Sequence, residues 1–190
     1  QVAYFSDASG EYALHVRAAD GTGNPRVIPL GATPTYFRGI TWSPDGQRIA
    51  FSDQRLILWL ADLTTGRALP VDSSRWIAQG LWHTSWSPDS KLLAYAKADG
   101  KGIRAVWLRD VESKRAWQVS HGGSDDVWPV IDPTGRWLYF ASSTNSGNAP
   151  ARDVWGLLSD YFAQPFVTYR IMVTTLRDGD VLPVLPYGAG

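Results

Sequence analysis

The sequence predicts an all-β protein built from about four copies of one small antiparallel sheet. The first observation is a recurring phrase, Trp-Ser-Pro-Asp-Gly at 42–46, with related versions at 86–90 and 131–135. The second is its regular spacing, since 44 residues separate Pro44 from Pro88 and 45 separate Pro88 from Pro133. The third is that short apolar runs follow every phrase. A repeat of this period is typical of a chain that stacks copies of one supersecondary unit.

The runs after each phrase are rich in β-branched and aromatic residues and are bounded by Gly, Pro, Asp and Ser, as strands are. Pro and Asp favour a turn at the phrase itself, and Gly supplies the positive φ that closes it. Ser90 stands in place of this Gly in the second phrase, which predicts a strained turn or one of another type. The runs alternate only weakly between apolar and polar residues, so both faces of each sheet should be covered.

A small antiparallel sheet that is covered on both faces and recurs at this period is a β-propeller blade. We therefore predict a β-propeller segment of about four four-stranded antiparallel blades, forming one partial propeller over 1–190. The first blade lacks its inner strand, because Val2–Asp7 aligns with the second strand of the next blade at Ile49–Asp53. The predicted blades cover approximately 1–31, 36–72, 77–121 and 125–186.

One long interruption separates the second and third strands of the last blade, at 143–168. Its first part has a loop composition. Its second part places apolar residues at 154, 157, 158, 161 and 162, a helical spacing that Asp153 is suited to cap. We expect a short amphipathic helix that lies over the propeller edge or against a neighbouring domain.

The composition excludes several classes of protein. Lys plus Arg and Asp plus Glu both number 18, so the net charge is zero, and we expect no nucleic-acid partner and no membrane partner. No apolar stretch is long enough to span a bilayer. The chain has no Cys, which removes disulfides, thiolate nucleophiles and Cys-based zinc sites, and which fits the cytoplasm or a bacterial periplasm.

Ten Trp residues are many for 190 residues, and six of them recur at similar places within the repeats. Blades that pack face to face need large flat side chains, so we expect these Trp residues to pack between blades rather than to stack on a ligand. The six are Trp42, Trp59, Trp86, Trp107, Trp128 and Trp137.

We find no residues in the sequence that suggest catalysis or a metal. The Gly-x-Ser-x-Gly phrase of many serine hydrolases is absent, and its nearest fragment, Gly123–Asp125, has a loop composition. The three histidines, His15, His83 and His121, lack zinc-site spacing. Asp7 and Asp53 follow strands and should bond the next turn rather than calcium. We expect no catalytic residue, no metal and no cofactor.

Propeller geometry narrows the region in which a ligand would bind. The first strand of each blade is innermost, and the loops that lead into it cluster around one mouth of the channel. The residues of these loops are either the candidates for contact with peptide or ordinary loop residues with satisfied polar groups. The candidates are Arg38, Arg75, Trp76, Trp82, His83, His121, Asp125 and Asp126.

The repeats resemble the blades of TolB-like and tricorn-like propellers. The last repeat gives a more specific match than the repeated phrase does. Gly123–Asp126 leads into Pro129–Thr144, followed by the insertion, then Pro165–Thr168 and Val173–Asp178. This series is similar to the final blade of the second propeller in bacterial tricorn-like serine peptidases. The resemblance implies a non-catalytic propeller that channels or filters peptide substrates toward a protease core. That core follows a PDZ module, so its catalytic residues have no counterparts in this sequence.

Two alternatives remain open. A TolB-like propeller would be a scaffold for protein partners, and the lid propeller of a prolyl-oligopeptidase-like hydrolase is a third possibility. In each case an incomplete ring exposes apolar blade faces and strand edges. We therefore expect the segment to pair with the remaining blades or with a second copy, in addition to peptide or protein ligands.

Overall fold

The computed structural model describes residues 1–8, 10–31, 35–74, 83–98, 102–120, 124–143, 169–176 and 182–183. The regular structure of these residues is entirely β-strand, which confirms the all-β prediction. The chain divides into two compact units, Gln1–Trp82 and His83–Gly190. Past Ser143, the predicted insertion with its helix lies outside the described residues.

The first unit contains two antiparallel sheets in which consecutive strands are neighbours. The first sheet has three strands among the described residues, in the order β1-β2-β3, and the second has four, in the order β4-β5-β6-β7. The strands are β1 (Val2–Ser6), β2 (Ala13–Arg17), β3 (Arg26–Pro29), β4 (Phe37–Trp42), β5 (Arg48–Asp53), β6 (Ile57–Asp62) and β7 (Arg67–Ser73).

The second unit contains two four-stranded antiparallel sheets of the same design. The third sheet has the order β8-β9-β10-β11, and the fourth has the order β12-β13-β14-β15. The strands are β8 (Thr84–Trp86), β9 (Leu92–Ala98), β10 (Arg104–Asp110), β11 (Ala116–Gln118), β12 (Asp126–Ile131), β13 (Trp137–Ser143), β14 (Tyr169–Thr175) and β15 (Leu182–Pro183).

The repeated phrase forms the turn between the first and second strands of a sheet. In the second sheet, Ser43 Oγ donates to Asp45 Oδ1 over 2.6 Å and accepts from the backbone N–H of Arg48 over 2.9 Å. In the third sheet, Ser87 Oγ makes the same 2.6 Å bond to Asp89 Oδ1. The turn is therefore held by a side-chain pair as well as by its backbone.

Ser90 takes the same conformation as the glycine that it replaces. Its φ is 60°, against 68° for Gly46 and 67° for Gly135. The prediction of another turn type is therefore wrong. A side chain in this left-handed region costs roughly 1–2 kcal/mol, so the predicted strain is present.

The fourth sheet builds the same turn with the two polar roles exchanged. Asp132 occupies the place of the serine, and Thr134 that of the aspartate. Thr134 Oγ1 donates to Asp132 Oδ2 over 2.5 Å, and Asp132 Oδ1 accepts from the backbone N–H groups of Arg136 and Trp137 over 3.0 and 2.8 Å. The hydrogen bond from Thr134 and those from the backbone lower the pKa of Asp132 to about 2.

Asp53 ends β5 as a buried hub, with an exposed fraction of 1%. Its Oδ1 accepts from the backbone N–H groups of Arg55 and Ile57 over 2.9 and 3.0 Å. Its Oδ2 accepts from Nε and Nη2 of Arg55 over 3.0 and 2.8 Å and from Nε1 of Trp59 over 3.2 Å. Asp53 therefore bonds the following turn, as the sequence predicts, and also ties that turn to β6.

The core of the first unit lies between its two sheets. Leu14 and Ile28 of the first sheet and Ile49 and Phe51 of the second are buried in one cluster. Phe5 joins this cluster from β1, and its ring lies edge-on to Phe51 with the centroids 5.3 Å apart. Burying each large side chain contributes about 1.5–3 kcal/mol, so this layer dominates the stability of the unit.

The core of the second unit shows which faces meet. Ala94, Val106 and Leu108 of the third sheet pack against Leu138 and Phe140 of the fourth. Cross-strand partners share a face, and Ala94 pairs with Leu108 while Val106 pairs with Ala96. One face of the third sheet is thus covered by the fourth sheet.

The opposite face of the fourth sheet is apolar and exposed. Val130 pairs with Tyr139, and Trp137 and Ile171 lie on the same face by their register. Their exposed fractions are 55% for Val130, 38% for Trp137 and 61% for Ile171. This surface, called here the open face, corresponds by repeat position to the face of the third sheet that the fourth sheet covers.

Five of the six tryptophans divide into two groups, and the sixth, Trp107, is half-buried with the Lys97 ammonium 4.7 Å from its ring centroid. Trp86 is buried, and Trp42 and Trp59 pack against the core of the first unit. Trp128 and Trp137, in contrast, are large exposed side chains. Trp128 thus departs from the predicted packing between blades, whereas Trp137 belongs to the open face of the fourth sheet.

Candidate functional site

The structure describes four of the eight predicted contact residues. Arg38 lies in the first unit, and His83, Asp125 and Asp126 lie in the second. The other four lie outside the described residues, namely Arg75, Trp76, Trp82 and His121.

Arg38 is exposed on β4, the first strand of its sheet. The pairing of β4 with β5 is regular up to Arg38 and shifts between Arg38 and Thr41, which marks a β-bulge. Gly39 sits within this bulge at φ 74°. The backbone carbonyl of Arg38 accepts a hydrogen bond from Ser52 Oγ over 3.3 Å, which holds the strand beside the bulge.

The corresponding strand of the fourth sheet, β12, bulges at the same place. The pairing of β12 with β13 shifts between Val127 and Val130. Trp128 occupies the position of Gly39 and has φ 53°. A positive φ is rare for a bulky side chain, and such outliers concentrate at functional sites.

Trp128 and His83 form a hydrogen-bonded pair. Nε1 of Trp128 donates to Nε2 of His83 over 2.7 Å, and the rings meet edge-on with centroids 5.7 Å apart. Trp128 as a whole residue remains 48% exposed. The bond requires an unprotonated Nε2, so the imidazole carries its proton on Nδ1.

An ion pair lies close to this aromatic pair. Arg104 begins β10, and Asp125 immediately precedes β12. Nε of Arg104 donates to Oδ1 of Asp125 over 2.7 Å, Nη2 donates to Oδ2, and the backbone N–H of Arg104 donates to Oδ1 over 3.1 Å. This bidentate pair holds the start of β12 to β10, the third strand of the neighbouring sheet.

The electrostatics keep His83 neutral. Burial lowers the pKa of His83, and the positive charge of Arg104 lowers it further. The imidazole is therefore uncharged at neutral pH and available as the acceptor for Trp128. Asp126, the fourth described candidate, is buried at the start of β12 opposite Ser142 and lies inside the sheet rather than on its surface.

The structure thus brings His83 and Asp125 to one cluster and adds two residues that sequence reasoning missed, Trp128 and Arg104. Comparing the bulges could have found Trp128, because the first unit places glycine there. Arg104 is separated from Asp125 by 21 residues, and no local pattern marks it. The chemistry of the cluster is recognition by an aromatic surface and fixed polar groups.

The described residues hold neither a metal-binding cluster nor a membrane-spanning helix. No group of three or more His, Asp or Glu side chains among them is placed to hold a metal ion. Within the same part of the chain, no helix is long and apolar enough to cross a membrane.

Comparison with known proteins points to one kind of propeller. No family model matches the chain. Over 103 residues the chain is 35% identical to a protein of Sulfurisphaera tokodaii named as a tricorn-like protease C-terminal subunit, covering 53% of this chain and 12% of that protein. The chain therefore spans about an eighth of the length of this curated relative.

Two solved structures match nearly the whole chain. The tricorn protease has a TM-score of 0.68 at 17% identity, covering 94% of this chain and 17% of that chain. TolB from Acinetobacter baumannii has a TM-score of 0.59 at 20% identity, covering 98% and 42%. At these identities the structures show the fold alone, which is a β-propeller. With the sequence match, they support the predicted resemblance to the β-propeller domains of tricorn-like and TolB-like proteins.

Proposed function

We propose that this chain is a non-catalytic β-propeller portion of a tricorn-like serine peptidase and that it contacts peptide substrates on their way to the protease core. The observation that carries the proposal is the 35% identity to a tricorn-like protease subunit. This identity exceeds the 20% identity to TolB, so it favours the peptidase context over a general propeller.

The site supports contact with peptide in the second unit. The first strand of a blade is its innermost, and Trp128 and His83 stand on or next to such strands. Trp128 offers an exposed apolar ring, while its polar N–H is already satisfied by His83. Surfaces of this kind bind chains of varied sequence, because aromatic rings supply contact area at a small cost in side-chain entropy.

Arg38 supplies a contact of a different kind in the first unit. It is exposed beside a bulge that would re-aim its side chain, and bulges often stand next to functional sites. A guanidinium binds backbone carbonyls and carboxylates of peptides through several N–H donors. The proposal therefore assigns peptide contact to Arg38 and Trp128, with His83 and the Arg104–Asp125 pair as support.

The test uses the full protein that carries this chain and two substrates. One is an internally quenched peptide of twelve residues, and the other is a small chromogenic substrate that needs no channel. Arg38→Ala and Trp128→Ala should each lower kcat/KM several-fold for the long peptide and leave the small substrate unchanged. Glu112→Ala, in the turn between β10 and β11, is the matched surface control. Absence of peptidase activity, or equal losses on both substrates, would contradict the proposal.

A TolB-like scaffold is the second candidate, and one observation favours it. The TolB structure covers 98% of this chain, and this chain covers 42% of it, a far larger share than of the tricorn protease. Reading the gene beyond codon 190 separates the two candidates. A PDZ region and a serine-peptidase core would support the first, and a short propeller protein without them would support the second.

The open face also implies a partner, and we propose a further blade of the same repeat within the full protein. The equivalent face of the third sheet is buried beneath the fourth sheet. A further blade would cover the open face in the same way that the fourth sheet covers the third. Ile171→Lys should lower the melting temperature of the full protein without changing its mass in sedimentation. Dissociation of a dimer by this substitution would show instead that a second copy covers the face.

A further inference from the structure

We infer that Trp128 is a recognition platform for aromatic side chains of a peptide, held in position by His83. This inference rests on the proposed contact with peptides and adds a preference among their side chains. It is carried by the strained backbone of Trp128, the exposure of its ring and the fixed orientation of the indole.

The backbone of Trp128 adopts a conformation that a bulky residue rarely takes. The bulge of β12 needs a positive φ, which β4 provides at the same place with Gly39 at 74°. Trp128 accepts this conformation at φ 53° although its side chain is 48% exposed. Core packing therefore does not account for a bulky residue at this position. An observed backbone outlier of this kind points to a function of the side chain.

The orientation of the indole ring is fixed by its contacts with His83. The 2.7 Å bond from Nε1 to His83 fixes the rotation of the indole, and the edge-on contact of the two rings limits its tilt. A ring held before the ligand arrives loses little entropy on binding. Aromatic rings pair in offset-stacked or edge-to-face geometries that give selectivity beyond the buried area.

The charged groups near the indole bear on which side chain of a peptide it would prefer. A Lys or Arg side chain of the peptide would also be attracted to the face of an indole. Asp125, the carboxylate described beside this pair, is already engaged by Arg104 in a bidentate ion pair. It is therefore not available as a counter-charge for a basic side chain of the peptide. An aromatic side chain, which needs no counter-charge, is favoured over a basic one.

The test measures binding of four nonapeptides to the full protein by calorimetry. They differ only at the central residue, which is Phe, cyclohexylalanine, Lys or Ala. Phe and cyclohexylalanine have nearly the same size, so their ratio isolates the aromatic contribution. We expect Phe to bind about 2- to 10-fold tighter than cyclohexylalanine, the range that corresponds to one aromatic pair. The Lys peptide should bind less tightly than the Phe peptide.

Three variants locate this preference. Trp128→Gly should reduce the ratio to about one and keep the fold, because glycine is the residue that β4 uses in its bulge. Trp128→Asn is the second variant, since asparagine also tolerates a positive φ and removes the ring. Tyr36→Ala removes another strongly exposed aromatic side chain, in the first unit, and should leave the ratio unchanged.

The outcomes separate the two proposals. If none of the four peptides binds, the proposed contact with peptides fails. If all bind but Phe and cyclohexylalanine bind equally, or if the ratio survives in both Trp128 variants, the inference about Trp128 fails and the contact with peptides stands.

Discussion

Replacing Asp53 by asparagine should destabilise the protein by about 1–4 kcal/mol. The amide keeps an oxygen for the backbone N–H groups of Arg55 and Ile57, but it presents an NH₂ group where Oδ2 accepts three hydrogen bonds. The indole N–H of Trp59 then loses its acceptor, at a cost of about 1–3 kcal/mol. The Arg55 side chain is 40% exposed and can turn to water, so the lost ion pair adds only about 0–1 kcal/mol.

Differential scanning calorimetry is the assay for this prediction. For a domain of this size, 1 kcal/mol shifts the melting temperature by about 2–4 °C, so Asp53→Asn should lower it by about 2–16 °C. Asp62→Asn is the matched control, because Asp62 Oδ1 accepts from the N–H groups of Thr64 and Thr65 in an exposed turn and the amide oxygen can do the same. Equal melting temperatures for the two variants would refute the reasoning that a buried hub holds β5 to β6.

Three further predictions concern the turns and the aromatic pair. Gly46→Ala should cost roughly 1–2 kcal/mol in urea denaturation, because a Cβ there meets no atom within 4 Å and only the positive φ opposes it; a cost near zero would contradict this reasoning. The lowered pKa of His83 means that its contribution to stability is present above about pH 6.5, the value in the unfolded chain, and is lost as the pH falls from there through the lower pKa of the folded state. His83→Gln should therefore flatten the fall of the melting temperature between pH 7.5 and 5.5, and an unchanged profile would exclude His83 as the group responsible. Asp132, with a pKa lowered to about 2, stabilises the fold above about pH 4, and this contribution disappears as the pH falls toward 2. Asp132→Asn should thus show a weaker acid dependence below pH 4 than the parent chain, which acid titration followed by circular dichroism measures.

The sequence predicted the strands well because the repeat supplies several aligned copies of each. The phrase that ends at Gly46 marks one turn, and its relatives mark two more, so the strands on either side could be placed by comparison. Where the copies differ, the prediction weakened. For Ser90 the sequence predicted either strain or another turn type, and the hydrogen bond between Ser87 and Asp89 holds the same geometry with a strained serine at positive φ.

The first sheet shows that residues of the same type in two repeats need not be structurally equivalent. Phe5 and Phe51 both precede Ser-Asp, and the alignment of β1 with β5 treats them as equivalent. In the structure they face each other from opposing sheets. In the second unit, Ala94 lies on the face of the third sheet that the fourth sheet covers. The residue of β5 that occupies the same position in its repeat is Ala50, not Phe51. The alignment is therefore shifted by one residue, a slip that exchanges the two faces of a strand.

The candidate site was predicted only in part, for physical reasons. His83 and Asp125 were selected as loop residues near inner strands. Trp128 was assigned to packing, because composition cannot distinguish a buried indole from one that a bulge turns outward. The pairing of Arg104 with Asp125 depends on how two sheets stack, and that arrangement is not a local property of either segment.

The exchange of roles between Asp132 and Thr134 has a consequence for how such proteins diverge. At Ser43–Asp45 the hydroxyl comes first and the carboxylate second, whereas at Asp132–Thr134 the order is reversed and the strands still meet in the same way. Each substitution alone would set two carboxylates or two hydroxyls side by side, so the two changes compensate for each other. A search that scores positions independently counts two mismatches where the turn has none. Scoring the two positions as one compensated pair would recover blades that lack the familiar phrase.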